Sequence, residues 1–440
     1  MRIRIGNNKI FKDVVNKLFP KITINEINGF SIDSRKVKEN DIYLAIQGAN
    51  HDGHNYISEA ISKGACLIFS EKPCNNPSQN IINVQSTLDL LKILAKEYVK
   101  QFKCLIIAIT GSNGKTTTKE LLAHVLCKTK KIMFTKGNYN STIGLPMSIF
   151  SIVGNEEFCI LEMGASRPGE ITELCKIVKP DIGLITNISG AHVENFGSVK
   201  SIAKTKSALF KNLRSNGTAF YNLDDKYIPE FSTDAEKITY GFDVKADYEG
   251  FYSKQIVKIN NIKISIPYPS EIMAKNILAV FAIAKFIGIS TNQIKNSINT
   301  FETPAGRSEI ITHGNLTIIN DSYNANLDSS KAGIDILKNY KGNKKIVVIG
   351  DMLELGDLSY DYHYELGRYI SNAKIDLLLA FGKFSKITVE ACEGVVAKFF
   401  YNKQDLIERL NKIVHDGDVI YIKGSRGMKM DDIIKKGIIV

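Results

Sequence analysis

The 440-residue chain lacks any run of about 18 uninterrupted apolar residues, the length a membrane-spanning helix needs. Its nearest approach, ILAVFAIAKFIGI at 277–289, is broken by Lys285 and reads as a helix buried in a core. The N-terminal MRIRIGNNKIF has no continuous apolar stretch, so no secretion signal and no integral membrane association are expected. The seven cysteines are odd in number and none stands in a Cys-x-x-Cys pair. Several lie in apolar segments, as small core hydrophobes do, and a reducing cytoplasmic location is expected. The formal charge is +11, yet no block of five or six lysines occurs and no basic stretch is interleaved with aromatics. A solvated, lysine-rich surface fits better than a nucleic-acid patch, and an enzyme acting on polyanions would gain from the same field. No Ser-His-Asp arrangement, internal repeat or low-complexity tract is visible, and a monomer is expected.

The 44% hydrophobic content is that of a soluble globular protein, and the length calls for two or three domains. Residues 1–84 hold short strands and turns (GFSIDSRKV, NDIYLAIQG, ACLIFSE) with a helix over YISEAISKG, and EKPCNNPSQN (71–80) reads as a loop. From 85 to 304 strands and helices alternate, apart from a less regular, strand-like section at about 237–267. Alternation restarts in 305–440 with LTIINDSY, KKIVVIGDM, KIDLLLAFG and DVIYIKGSRG. The fold class expected is therefore α/β with parallel sheets covered on both faces.

The segment AITGSNGKTTTKE (108–120) carries the clearest chemistry. The usual phosphate-binding loop has Gly, four residues, then Gly-Lys-Ser/Thr, and here Ile109 occupies the leading glycine position. A shorter loop built on Gly111, Gly114 and Lys115 still meets the physical need: backbone N–H groups converging on phosphate, a helix N-terminus and a lysine. CLIIAIT before it reads as a buried strand and Thr116–Leu126 after it as a helix. Lys115 would reach the outer phosphates and the Thr116 hydroxyl would hold Mg²⁺.

Glu162 ends an apolar strand (CILEMGAS), where a lone carboxylate is costly to bury, so a metal or a salt bridge should accompany it. His192 follows another strand into a polar loop on the same sheet edge, and a loop hydrogen bond and a ligand role are equally compatible with that position. By composition, Lys204 and Lys206 in SIAKTKSALFKNL belong to a solvated helix face. HDGH (51–54) has the spacing of a metal pair but no third ligand nearby, and reads as a polar turn.

Taken together, TGSNGKTT (110–117), LEMGAS (161–166), GAHVENFGS (190–198), AKTKSALF (203–210), Asn276 in AKNILA, AGR (305–307) and KGSR (423–426) resemble the Mur ligases of peptidoglycan synthesis over nearly the whole chain. That family characteristically has the shorter T-G-[ST]-x-G-K-[ST] loop, so Ile109 is no defect. GNYNSTIGLP (137–146), NDSYNANLDS (320–329) and GDMLELG (350–356) are similar to the type that adds D-alanyl-D-alanine, although Leu327 replaces a common proline and Ser141 a common asparagine.

The resemblance implies three domains: a small α/β N-terminal domain for the UDP substrate (1–84), a central P-loop parallel-sheet ATPase domain (85–304) and a Rossmann-like C-terminal ligase domain (305–440). It implies that ATP, held by Gly111, Ser112, Asn113, Gly114, Lys115, Thr116, Thr117, Asn276, Arg307 and Asp321, phosphorylates the terminal carboxylate of UDP-N-acetylmuramoyl-tripeptide, and that the amine of D-alanyl-D-alanine attacks the acyl phosphate. Thr116, Glu162, His192 and a carbamylated Lys206 would hold Mg²⁺. Lys115, His192, Lys206 and Arg307 would be catalytic. Asp33, Ser34, Arg35, Asp52, Gly53 and His54 match the uridine-nucleotide region, and Asn138, Asn140, Ser141, Thr142, Tyr323, Asn324 and Asn326 the remaining substrate contacts. Two other readings stay open: the sister ligase that adds lysine or diaminopimelate as third residue, and a nucleic-acid-stimulated P-loop ATPase.

Overall fold

Apolar runs whose side chains are buried on both faces build three successive sheets, as alternating strands and helices require. The computed structural model describes residues 1–22, 24–48, 51–73 and 81–438. The first sheet runs Arg2–Arg4, Gly29–Ser31, Asp41–Leu44, Ala65–Ser70, Ile81–Asn83 in spatial order; its first pair is antiparallel and the rest parallel. The helix expected over 56–64 is present as Ile57–Ser62, entered through a 3₁₀ turn at Gly53–Tyr56. Of the loop expected at 71–80, residues 74–80 lie outside the described residues.

The central sheet has nine strands. Leu105–Thr110 lies between Phe158–Glu162 and Ile182–Ile185, all parallel, with Thr218–Asn222 and Glu236–Phe242 continuing on one side and Ile132–Phe134 closing the other. The strand-like section resolves into Glu236–Phe242 and Tyr248–Ser253, still parallel, followed by an antiparallel pair of short strands, Ile256–Ile259 and Ile262–Ser265. The helix Glu271–Phe286 is apolar nearly all round and is correspondingly buried. Its N-cap Ser270 accepts a hydrogen bond from the Met273 N–H.

The third sheet places Glu309–His313, Leu316–Asp321, Val419–Lys423, Lys345–Gly350, Leu377–Phe381 and Val396–Phe400 side by side, antiparallel only in the first pair. The protein is thus a three-domain α/β chain. Phe11, Phe30, Tyr98 and Phe150 knit the first two sheets together, with Phe11 and Phe150 centroids 4.9 Å apart. The buried Tyr98 hydroxyl donates to Ile152 O at 2.7 Å and accepts from the Asn7 N–H at 2.9 Å, so its burial leaves no polar group unmet. Among the described residues no helix is long and apolar enough to cross a membrane.

Candidate active site

In open parallel sheets ligands sit beyond the carboxyl ends of the strands, and here three such ends meet. Ile109 pairs with Glu162 and Thr110 with Ile185, so the phosphate loop, Glu162 and the segment after Ile185 leave the sheet together. The cleft between this edge and the C-terminal domain has a volume of about 410 Å³.

The loop glycines are needed for shape. Gly114 has φ +79°, and a β-carbon there would lie 2.7 Å from Asn276 Oδ1; one on Gly111 would lie 1.9 Å from Thr186 Oγ1. Thr186 Oγ1 donates to Asn113 O at 2.6 Å, while the Asn187 amide accepts from the Asn113 N–H at 3.0 Å and donates to Asn113 O at 3.1 Å. The loop is held in place by its neighbours, and a helix N-terminus follows at Lys115. Lys115 donates to Gly111 O at 2.8 Å and Ser112 O at 3.0 Å. Burial pushes its ammonium down to about 8; Glu162 opposes that shift and Arg307 adds to it.

Glu162 is buried, with one oxygen accepting from Thr116 Oγ1 (3.1 Å) and Asn140 Nδ2 (2.7 Å). The other oxygen has no hydrogen-bond partner among the described residues; the Lys119 ammonium lies 3.8 Å away. A buried carboxylate oxygen left unpaired beside a phosphate loop is where a divalent cation would sit. Lys119, which the sequence did not single out, is fully buried and donates to Thr135 O at 2.5 Å and Gly137 O at 3.2 Å, with Glu120 Oε1 at 2.8 Å.

The assignment of Lys206 to a solvated face is wrong. Lys204 is exposed, but Lys206 is only 4% exposed, because Ile202, Leu209 and Phe210 turn their side of the helix Val199–Lys211 into the core. Burial and then the nearby Lys115 charge hold its amine well below the ordinary lysine range. No hydrogen bond or ion pair reaches it among the described residues.

His192 lines the cleft and its Nδ1 is hydrogen-bonded to the Glu354 carboxylate of the C-terminal domain. No three His, Cys, Asp or Glu side chains converge among the described residues, so Glu162 and His192 do not form a metal site by themselves.

From the facing wall, Arg307 lies over the Tyr323 ring at 3.9 Å, and Arg426 approaches the same ring at 5.3 Å. Asp321 accepts from the Ser308 N–H (3.0 Å) and Tyr421 Oη (3.3 Å) and pairs with buried Lys423. Asn326 caps the helix Leu327–Asn339 and donates across to Asn113 Oδ1 at 2.7 Å. Asn324 Oδ1 accepts from the Arg426 N–H at 3.3 Å. Ser112, Asn113, Gly114, Lys115, Thr117, Asn138, Asn140, Ser141, Asn276, Arg307, Asp321, Tyr323, Asn324 and Asn326 all line this one cleft. Thr116 lies beneath it on Glu162, Gly111 packs on Thr186, and Thr142 is not among the lining residues.

Asp33, Ser34, Arg35, Asp52, Gly53 and His54 gather instead around Tyr43 of the first sheet. Tyr43 donates to Gly53 O at 2.8 Å, and burial, then Asp33, Glu59 and Asp52, raise its phenol to about 12. Ser34 donates to Glu59, and Asp33 caps the turn at Arg35, whose guanidinium hydrogen bond holds the carboxyl down to about 2. HDGH is a polar turn: Asp52 binds both the N–H and Nδ1 of His54, whose Nε2 accepts from the Glu71 N–H at 3.0 Å. Both ring nitrogens of His54 are therefore spent on the fold.

Profiles of the Mur ligase family catalytic domain, middle domain and glutamate ligase domain match residues 26–99, 109–284 and 306–426. A Bacillus subtilis (strain 168) protein named "UDP-N-acetylmuramoyl-tripeptide--D-alanyl-D-alanine ligase" is 33% identical over 424 residues, covering 93% of each chain. The chain belongs to the Mur ligase family. Solved structures agree: MurF from Acinetobacter baumannii superposes with a TM-score of 0.89 at 26% identity, covering 98% of this chain and 99% of that one. MurF ligase from Thermotoga maritima, solved in complex with ADP, gives 0.83 at 29% identity over 92% and 96%.

In this Mur ligase the cleft also involves residues to which the sequence assigned no role of their own, including Glu354 and Arg426 of the GDMLELG and KGSR segments. Thr186 and Asn187 clamp the loop, Glu354 reaches His192, and Arg426 flanks Tyr323. A second cavity of about 340 Å³, lined by Asn187, Asn222, Asp224, Asp225 and Tyr240, shares Asn113 and Asn276 with the first. Its signal in sequence was slight: polar residues at the end of the strand Thr218–Asn222.

Proposed function

We propose that this Mur ligase uses ATP to join D-alanyl-D-alanine to UDP-N-acetylmuramoyl-tripeptide, releasing ADP and phosphate. The observation that carries the reading is the single cleft in which the phosphate loop faces Arg307, Tyr323, Asn324 and Asn326 of the C-terminal domain. The names of the relatives support the identity of the amine, and the division at 84/85 and 304/305 is retained as part of the proposal.

The triphosphate would lie along the Gly111–Thr117 amides, with its nucleoside in the neighbouring cavity. Lys115 would leave the two loop carbonyls it now binds and take the outer phosphates, whose charge favours its protonated form. Arg307, which has no carboxylate partner among the described residues, would stabilise charge on the transferred phosphoryl group from the opposite wall. Asn140 steadies Glu162 while its loop, residues 138–142, meets the peptide substrate. Residues 33–35 and 52–54 would hold the uridine end in the first domain. Docking of the C-terminal domain, through Asn113–Asn326 and His192–Glu354, excludes water from the acyl phosphate and aligns the incoming amine.

Thr116, Glu162, His192 and Lys206 would hold Mg²⁺, which supplies Lewis-acid stabilisation of the transferring oxygens. The unpaired Glu162 oxygen supports this fit. Lys206 fits as a carbamate: burial holds its amine well below the ordinary lysine range, and the unprotonated amine can attack the carbon of CO₂, forming an N–C bond and losing a proton to water. The product is an anionic oxygen ligand where an ammonium would repel a cation. The enzyme is proposed to work in the cytoplasm, as a monomer, with no nucleic-acid partner.

The test is phosphate release from ATP with Mg²⁺ and UDP-muramoyl-tripeptide, with and without D-alanyl-D-alanine. The reading requires release that depends on the dipeptide. Release driven by lysine or diaminopimelate with the UDP-dipeptide, or by RNA or DNA, would replace it.

A further inference from the structure

His192, with φ +59°, and Glu354, with φ +62°, are non-glycine residues in left-handed backbone where the central and C-terminal domains meet. A β-carbon crowds the main chain in that region, so such residues persist only where their surroundings over-determine them. The surroundings here are each other. His192 Nδ1 is hydrogen-bonded to the Glu354 carboxylate, and the Glu194 N–H donates to Glu354 O at 3.2 Å. Gly356, also left-handed at φ +56°, packs so closely on Glu194 that an added β-carbon would lie 3.3 Å from its Cγ. On the other flank, a β-carbon on Gly190 would lie 2.8 Å from the Tyr362 hydroxyl. The turn carrying His192 is seated on the C-terminal domain along its whole length.

We propose that Glu354 is a positioning residue that holds the His192 ring with Nδ1 as proton donor and Nε2 as the lone-pair nitrogen. A carboxylate only accepts, so Nδ1 must carry the hydrogen, and a neutral ring then has its lone pair on Nε2. Unconstrained neutral histidine prefers the opposite arrangement, with the proton on Nε2. A ring that is to face a divalent cation from the cleft wall needs that lone pair, and carboxylate partners commonly supply this orientation. Because Glu354 belongs to the C-terminal domain and His192 to the central one, the ring is set only when the two are docked. Domain closure and assembly of the cation site are thereby one event.

The test has a spectroscopic arm and a kinetic arm; only the kinetic arm rests on the ligase reading. Long-range proton–nitrogen spectra of the ¹⁵N-histidine-labelled full chain, with His192 assigned through His192→Asn, report which nitrogen holds the proton at alkaline pH. The wild type should show the Nδ1–H form, Glu354→Ala should revert to Nε2–H, and Glu354→Gln, whose amide oxygen still accepts, should keep Nδ1–H. Kinetically, Glu354→Ala should raise the Mg²⁺ concentration for half-maximal rate about 10–100-fold while leaving the KM for the UDP-tripeptide within about twofold. Glu354→Gln should recover most of that loss. An Nε2–H ring in the wild type, a proton position indifferent to Glu354→Ala, or equal impairment of the Ala and Gln variants would overturn the proposal. If the wild type shows no dipeptide-dependent phosphate release, the ligase reading fails, and the spectra still decide this one.

Discussion

Replacing Lys119 by methionine isolates the electrostatic support beneath the phosphate loop. Its ammonium is fully buried, one helical turn beyond Lys115, and donates to Thr135 O and Gly137 O with Glu120 and Glu162 carboxylates alongside at 2.8 and 3.8 Å. Methionine fills a similar volume, so the cavity term is small and the loss is electrostatic. Removing one member of a buried charge pair costs about 3–5 kcal/mol, because the partner is left charged and desolvated. For a domain of this size that corresponds to roughly 6–20 °C in melting temperature, at about 2–4 °C per kcal/mol. The assay is thermal denaturation of the full chain, following the first cooperative transition. The double variant Lys119→Met/Glu162→Gln should recover part of the loss, since the Glu162 charge is no longer buried without Lys119, but not all, since Thr135 O still lacks its donor and Glu120 its cation. A shift under about 2 °C in the single variant, worth less than about 1 kcal/mol, would refute the reasoning, as would strict additivity of the two substitutions.

Lys115→Ala should lower kcat by at least about 10²–10³-fold while leaving the far-ultraviolet circular dichroism unchanged, because its contacts in the folded chain are two loop carbonyls. Gly111→Ala should abolish nucleotide binding measured by calorimetry, since the added carbon would lie 1.9 Å from Thr186 Oγ1; pairing it with Thr186→Ala should restore part of the affinity. Supplying ¹³C-bicarbonate should give a carbamate signal in the carbon spectrum that Lys206→Arg lacks; the same signal in both would assign it elsewhere. The Asp33 carboxyl is lowered to about 2 by Arg35, so its stabilising contribution is complete above the unfolded value near 4 and is lost as pH falls toward 2. Melting temperatures between pH 2 and 5 should therefore fall less steeply in Asp33→Asn.

The phosphate loop was readable because its determinants are local. An apolar strand, two glycines, a lysine and a helical pattern occupy consecutive residues from Leu105 to Leu126, and the geometry follows from neighbours in sequence. Lys206 was not readable, because its burial is decided by which side of the helix Val199–Lys211 meets the sheet, and lysines on amphipathic helices ordinarily face water. The helix Gly144–Ile149 went unnoticed for a related reason. It contains Pro146, which reads as a breaker but is tolerated in a first turn where its N–H would have no partner. The edge strand Val396–Phe400 alternates exposed and part-buried residues, a weaker signal than the continuous apolar runs of the central strands. Glu354 and Arg426 belong to loops whose partners lie 162 and 103 residues away in sequence, and no window of residues records such pairs.

The same distance effect explains the balance of charge in the cleft. Burial lowers the basicity of both Lys115 and Lys206, the Lys115 charge adds to the effect on Lys206, and Arg307 adds to the effect on Lys115 from another domain. Against these stand Glu162, already engaged by Thr116 and Asn140, and Asp321, already paired with Lys423. The folded chain therefore concentrates positive potential where local pairing does not cancel it, at a cost in its own stability. Anionic phosphates offset that cost on binding, so the stability sacrificed in assembling the cleft returns as affinity for the ligand. A scattered surplus of lysine on the surface could not do this, because solvent and salt screen it. In the proposed reaction the useful part of the +11 charge is Lys115 and Arg307, which two distant segments bring to one cleft.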